Sequence, residues 1–189
     1  MGEILLGLAG RAGVGKSTAA ALLAARGLVV INFADPIRDM LYAVMDWGQA
    51  HFDGPQKEIV DPRYGCSPRE AVQTLGDWGR DRMPNFWIAL ADELYRELRE
   101  TCIGEADGWW GAVLADVRTE EEAAWVRENG GHVVHVLRSD VEAVREHATE
   151  GGVRYQPGDF NLSNDGTVEE LERRVDGVLM GMGVGRGRG

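Results

Sequence analysis

An apolar run, Ile4-Leu5-Leu6-Gly7-Leu8-Ala9, leads directly into Gly10-Arg11-Ala12-Gly13-Val14-Gly15-Lys16-Ser17, the pattern G-x-x-x-x-G-K-S. A strand ending on such a loop delivers converging backbone N–H groups to an anion, and a helix has to begin where the lysine sits. Thr18 to Ala25 is rich in alanine and leucine, so a helix is expected there, with its N-terminal partial charge aimed at the same anion. The loop residues Ala12, Gly13, Val14, Gly15, Lys16, Ser17 and Thr18 are therefore the first candidate site. Gly13 and Gly15 would let the backbone approach a β-phosphate, Lys16 would bridge β- and γ-phosphates, and the Ser17 hydroxyl would ligate Mg²⁺.

The hydrophobic pattern places further strands near residues 28–33, 112–116, 132–138 and 159–162, after a first strand at 3–9, with helices between them. This alternation predicts an α/β fold with three α/β/α layers around a mostly parallel five-stranded sheet. Asp35-Pro36 opens a helix to about Gln49, with Asp35 as N-cap and Pro36 at the first helical position. Residues 53–66 read as a loop, and Ser67-Pro68-Arg69-Glu70 as a capping box. A long helix follows from about Trp87 to Glu100. The chain of 189 residues reads as one domain over 1–180. It carries a helical insertion at about 35–101, and residues 181–189, glycine- and arginine-rich, read as a flexible tail.

A net charge of −11 opposes binding to nucleic acid or to anionic membranes, so an anionic ligand has to be met by local clusters of arginine. Cys66 and Cys102 have no metal-ligand spacing and read as ordinary buried thiols in a reducing cytoplasm. No stretch is apolar for long enough to span a bilayer, and no secretory signal is apparent. Homodimerisation is left open.

A phosphate loop specifies a nucleotide, not a reaction. The two lysines, Lys16 and Lys57, leave no Asn-Lys-x-Asp guanine clamp, which excludes an ordinary GTPase. The apolar run Ala112 to Ala115 ends in Asp116-Val117-Arg118, without the glutamate that polarises water in motor-type ATPases. Asp116 suits Mg²⁺, and Arg118 a second anion, although the same pair also fits an ion pair at a strand end. Transfer between two phosphate-bearing molecules requires cations to offset their repulsion, and Arg80, Arg118, Arg138, Arg145 and Arg154 are available. A phosphate acceptor needs no general base, so His51, His132, His135 and His147 read as surface or packing residues.

Several segments together resemble the phage deoxynucleoside monophosphate kinases, over roughly residues 4–176. They are Gly10 to Thr18, Phe33 to Arg38, Gln73 to Arg80, Trp87, Asp116 to Arg118, Val134 to Arg138, His147 to Glu150 and Asn164 to Thr167. The resemblance implies phosphoryl transfer from ATP, with Mg²⁺, to a deoxynucleoside 5′-monophosphate. It implies action in the cytoplasm, the host's if the gene is a phage's. It assigns Lys16, Arg80, Arg118 and Arg145 to catalysis, and Asp35, Arg38, Arg80, Trp87, Asp116 and Arg118 to the acceptor side. Ser17 and Asp116 would serve the metal. Arg138 would join the phosphate loop in binding ATP, beside a lid at about 139–158, and Asn164, Gly166 and Thr167 would lie along the adenine. Gly76-Asp77-Trp78 and His147-Ala148-Thr149-Glu150 depart from the family's usual Gly-Thr-Glu and His-x-Ser-Glu. Local alternatives stay open: Arg80 can pair with Asp77, Arg145 with Glu142, and Trp87 can be core. A dephospho-coenzyme A kinase, with Asp35 as base, and a non-catalytic nucleotide sensor are the competing readings.

Overall fold

The computed structural model describes residues 2–52, 54–105, 109–139 and 152–183. Two compact units emerge, one of residues 1–31 with 95–189 and one of residues 32–94.

The larger unit holds the sheet. Its strands are β1 (Gly2–Ala9), β2 (Val29–Ile31), β3 (Trp109–Val117), β4 (His132–Leu137) and β5 (Phe160–Ser163). They are all parallel, in the order β2-β3-β1-β4-β5. β1 is central and its apolar run is buried on both faces, as expected for a strand covered by helices on either side. Period-two alternation divides it. Ile4, Leu6 and Leu8 pack in one core with Ala19, Ala20 and Leu23 of α1 (Lys16–Ala24) and Leu171 and Val175 of α7 (Val168–Gly181). The opposite face is covered by α6 (Glu120–Glu128): a Cβ placed on Gly7 would lie 3.0 Å from a Val126 methyl, so glycine lets that helix approach.

The smaller unit contains α2 (Asp35–Val44), α3 (Gln49–Phe52), a 3₁₀ turn (Gly54–Glu58), α4 (Pro68–Arg82) and the start of α5 (Phe86–Glu105). The unit boundary falls inside α5, after Leu94. Ile37, Leu41, Trp47, Phe52, Ala71 and Trp87 form its core. Asp61 organises the long connection. Its carboxylate accepts from Trp47 Nε1 at 2.9 Å and from the Arg63 guanidinium and backbone, which holds it well below the usual carboxylate range.

Several local expectations are corrected. Asp35 is the first residue inside α2 rather than its N-cap, because Ala34 already has helical dihedrals; the Asp35 carboxylate instead accepts from Asn32 Nδ2 at 2.8 Å. α2 stops at Val44, where Met45 becomes extended, and the following Trp47 is buried in the core. Residues 54–58 form a helical turn within what reads as loop. Cys66 is half-buried against the small core rather than fully buried. α7 continues through Gly181, with Met182 packed on the main core, so these residues are not part of a frayed tail. The Ser67 capping box is present, and Thr119 and Thr167 head two more. Of the lid expected at about 139–158, residues 140–151, with Arg145 and His147 to Glu150, lie outside the described residues, as do residues 184–189.

Candidate active site

In an open parallel sheet, a ligand crevice forms beyond the carboxyl ends of the strands, where neighbouring connections diverge. A cavity of about 520 Å³ occupies that position in the larger unit. It is lined by Gly10 to Ala12, Val14 and Lys16 after β1, by Asp116 to Arg118 at the end of β3, by His135 to Ser139 at the end of β4, and by Gly152, Val153 and Asp165.

Three glycines with positive φ make the loop possible, Gly13 among them at φ +83°. Gly10 has φ +144°, and a Cβ there would lie 2.5 Å from the Val136 carbonyl oxygen of β4. Gly15 has φ +99°, and a Cβ there would lie 2.2 Å from the Asn164 amide nitrogen. Side chains at either position would be strained and would also collide. Val14 turns inward and joins the main core, which ties the loop to the sheet, and α1 starts at Lys16.

Lys16 Nζ donates to the carbonyls of Gly10 at 2.5 Å and Arg11 at 2.9 Å, and lies 3.2 Å from Asp116 Oδ1. Arg118 Nε donates to Asp116 Oδ2 at 2.6 Å, and its Nη2 also pairs with that oxygen. One carboxylate at the end of β3 thus stands between an ammonium from the start of α1 and a guanidinium just beyond its own strand. Arg118 is placed by its own backbone: its N–H donates to Glu122 at 2.7 Å, an extension of the Thr119 capping box, and Glu122 is buried. The ion-pair alternative for Asp116 and Arg118 is therefore realised, at the mouth of the phosphate loop.

A divalent cation can be tested against these donors. Asp116 Oδ1 is buried and has no hydrogen bond among the described residues, and Ser17 is an exposed residue of the first turn of α1. Hard oxygens of this kind suit Mg²⁺, which takes few protein ligands and leans on phosphate oxygens. Among the described residues no group of three or more His, Cys, Asp or Glu could hold a metal unaided, so the donor set fits a nucleotide-borne ion rather than a protein cage.

Arg138 is exposed and lines the cavity. Thr167 caps α7, and Gly166 leaves room for the Glu170 carboxylate of that box. Asp165 accepts from Ser139 N at 2.6 Å and from the Ser139 hydroxyl, which keeps its carboxyl below its ordinary range and joins the β4 and β5 ends. Asn164 reaches back to the phosphate loop, where its Nδ2 donates to the Val14 carbonyl at 2.8 Å.

The remaining candidates are in the smaller unit. Arg80 Nη2 donates to Asp77 at 2.8 Å and lies over Gly76, where a Cβ would be 3.3 Å from it. Arg38 lies 4.0 Å from Asp35. The expected contact of Trp87 with an acceptor base needs correction: the side chain is 3% exposed, packs on Gly79 and donates from Nε1 to the Gly76 carbonyl at 2.9 Å. It is a core residue that fixes the turn of α4 bearing Arg80. Trp78, 49% exposed, is the aromatic of that helix left at the surface.

Sequence reasoning passed over two features. Arg11 is exposed and lines the cavity from within the loop itself, at a variable position of the motif. Asp159 is buried and accepts from Arg127 Nη2 at 2.8 Å, His135 Nε2 at 3.0 Å and Gln156 N at 2.8 Å. Burial disfavours its charge, but these donors prevail and hold the carboxyl at about 2. Arg127 also donates to the Arg154 carbonyl at 3.1 Å, so the network ties residues 154–159 to α6 and β4. An isolated apolar-strand histidine gave no sign of this partner.

The family model described as deoxynucleotide monophosphate kinase matches residues 48–175. A protein of Acanthamoeba polyphaga mimivirus, named by inference as a deoxynucleotide monophosphate kinase, is 31% identical over 191 residues, covering 91% of this chain and 94% of that protein. The deoxynucleotide monophosphate kinase of Escherichia phage RB69 is 37% identical over 99 residues, which are 52% of this chain and 37% of that protein. Among solved structures, the dephospho-CoA kinase from Campylobacter jejuni is similar with a TM-score of 0.50 over 96% of this chain and 98% of that one, at 12% identity, a likeness of fold alone.

Proposed function

The chain belongs to the deoxynucleotide monophosphate kinase family, and from that membership we propose that it transfers the γ-phosphoryl group of ATP to a deoxynucleoside 5′-monophosphate, giving ADP and a deoxynucleoside diphosphate. The observation that carries this reading is the carboxylate of Asp116 set between Lys16 and Arg118 at the mouth of a glycine-built phosphate loop.

The backbone N–H groups of Gly13 to Lys16 and the start of α1 would hold the β-phosphate, and an incoming γ-phosphate would compete with the Gly10 and Arg11 carbonyls for the Lys16 donors. Mg²⁺, held by Ser17 and Asp116, would neutralise charge shared between phosphate oxygens when bound. Arg118 supplies a planar fork suited to the acceptor's phosphate, with Arg80 and Arg38 as further acceptor-side cations. Arg11 and Arg138 add positive charge to the ATP side of the cavity, and Arg145 is proposed to act from the lid. In the reaction the γ-phosphorus gains a bond to an acceptor phosphate oxygen and loses its bond to the β–γ bridging oxygen. The acceptor oxygen is already anionic, so no side chain has to take a proton; positioning and charge stabilisation suffice.

No helix among the described residues is long and apolar enough to cross a membrane. A cytoplasmic setting is part of the proposal, as are the absence of nucleic acid and membrane partners. The test is a panel of deoxynucleoside and ribonucleoside monophosphates and dephospho-coenzyme A, each with ATP and Mg²⁺ and read by ADP release. Turnover confined to nucleoside monophosphates, with deoxy forms preferred, supports the reading. Turnover with dephospho-coenzyme A, or ATP binding without transfer to any acceptor, replaces it with a competing one.

A further inference from the structure

A peptide unit is planar and trans, so its C=O and the following N–H point in opposite directions. Whatever holds the oxygen on one side of the chain aims the hydrogen at the other. In the phosphate loop, the Val14 carbonyl is held by the Asn164 side chain, whose Nδ2 donates to it at 2.8 Å. The N–H of that same peptide belongs to Gly15, the residue at φ +99° immediately before Lys16.

Asn164 is itself held in place. Its backbone N–H donates to the Leu137 carbonyl at 2.7 Å, which fixes it to the end of β4. Its amide packs so closely over Gly15 that a Cβ there would lie 2.2 Å from Nδ2. Asp165 beside it is anchored by Ser139 and Ser163, and the Thr167 capping box starts α7 just beyond. Asn164 therefore reaches the loop from a rigid turn, across 150 positions of sequence.

We propose that Asn164 is a positioning residue for the phosphate loop, one that turns the Val14–Gly15 peptide so that its N–H faces the bound phosphates. The inference rests on the reading of this loop as the ATP phosphate site, and it assigns Asn164 a task independent of the nucleobase. A preset peptide spends no binding energy on reorientation, whereas a free one has to be turned by the ligand and its carbonyl oxygen repels the phosphate when turned the wrong way.

The experiment compares the full chain with Asn164→Ala and Asn164→Leu, the second filling similar volume without a donor. ATP and GTP are measured as phosphoryl donors, and inorganic tripolyphosphate, which has no base, as a competitor of ATP. Loss of one neutral hydrogen bond predicts that both variants weaken ATP, GTP and tripolyphosphate by a common factor of about ten. The ATP-to-GTP preference, the KM for the acceptor and the thermal midpoint stay near those of the parent. Weakened ATP with an altered ATP-to-GTP ratio and unchanged tripolyphosphate inhibition would make Asn164 a base-reading residue and overturn the inference. Unchanged binding of all three would overturn it too. Failure of tripolyphosphate to compete in the parent protein would instead refute the phosphate-site reading on which the inference stands.

Discussion

Residues 1–31 with 95–189 and residues 32–94 both carry candidate cations, yet they hold them in different ways. In the larger unit, Lys16, at the end of the loop that follows β1, meets Asp116 at the end of β3, where Arg118, two residues on, pairs with the same carboxylate. In the smaller unit, Arg80 pairs with Asp77 and Arg38 lies near Asp35, each within one turn of its own helix. A convergence of strand ends exists only once the sheet has formed, and it arrives preorganised. An i,i+3 pair on a half-exposed helix face is worth only a few tenths of a kcal/mol, roughly, and can be exchanged for a ligand at small cost. The chemistry is therefore expected to reside in the first kind of site and adjustable acceptor recognition in the second.

The sharpest challenge to that contrast is Lys16→Ala. Losing a preorganised cation at the transferring phosphate predicts a fall in kcat of about 10³-fold with the melting transition retained, checked by ADP release and circular dichroism. Arg118→Ala comes next: a loss of about 10²-fold in kcat/KM for the acceptor, with ADP affinity within a few-fold of the parent in calorimetry. A collapse of ADP affinity would move Arg118 to the ATP side and blur the division.

A third test concerns the buried charge network. The Asp159 carboxyl is depressed to about 2 from an ordinary 3.8, so it favours folding above about pH 4 and loses that contribution as pH falls through 2. Urea melts at stepped pH should show about 2 kcal/mol of acid-dependent stability in the parent that Asp159→Asn lacks. Equal acid slopes would refute the assignment. The smallest expected effect is in the other unit: Arg80→Ala should raise acceptor KM about tenfold and spare kcat, while Asp77→Ala leaves acceptor KM unchanged or lowers it. Equal losses in both variants would mean that the pair serves α4 and not the acceptor.

What was legible in the sequence follows the same division between local and long-range. The phosphate loop is readable because backbone amides bind the anion and glycine is what lets them approach; capping boxes are readable because donor and acceptor lie three residues apart. The central strand was equally plain, being apolar on both faces. Asn164 was read as lying along a base because nothing local reveals that its amide ends on Val14. For Trp87 the sequence left acceptor contact and core both open; the structure buries it because Gly79 leaves space for its ring and the Gly76 carbonyl accepts from its Nε1. His135 lies on β4 and Asp159 just before β5, so their meeting depends on how β5 is set beside β4, which no local pattern reveals. Asp35 carried the composition of a cap, but the preceding turn had already started the helix.

Among the described residues three helices begin with reciprocal boxes, at Ser67, Thr119 and Thr167; Thr119 follows Arg118 and Thr167 lies two residues after Asp165, both of which line the cavity. A helix that closes its own first turn does not rely on the incoming loop to define where it starts. Such loops can drift in length and composition without shifting the scaffold behind them. The fold thereby gains evolvability at its strand-to-helix junctions, where inherited catalytic groups and newly acquired preferences can change independently.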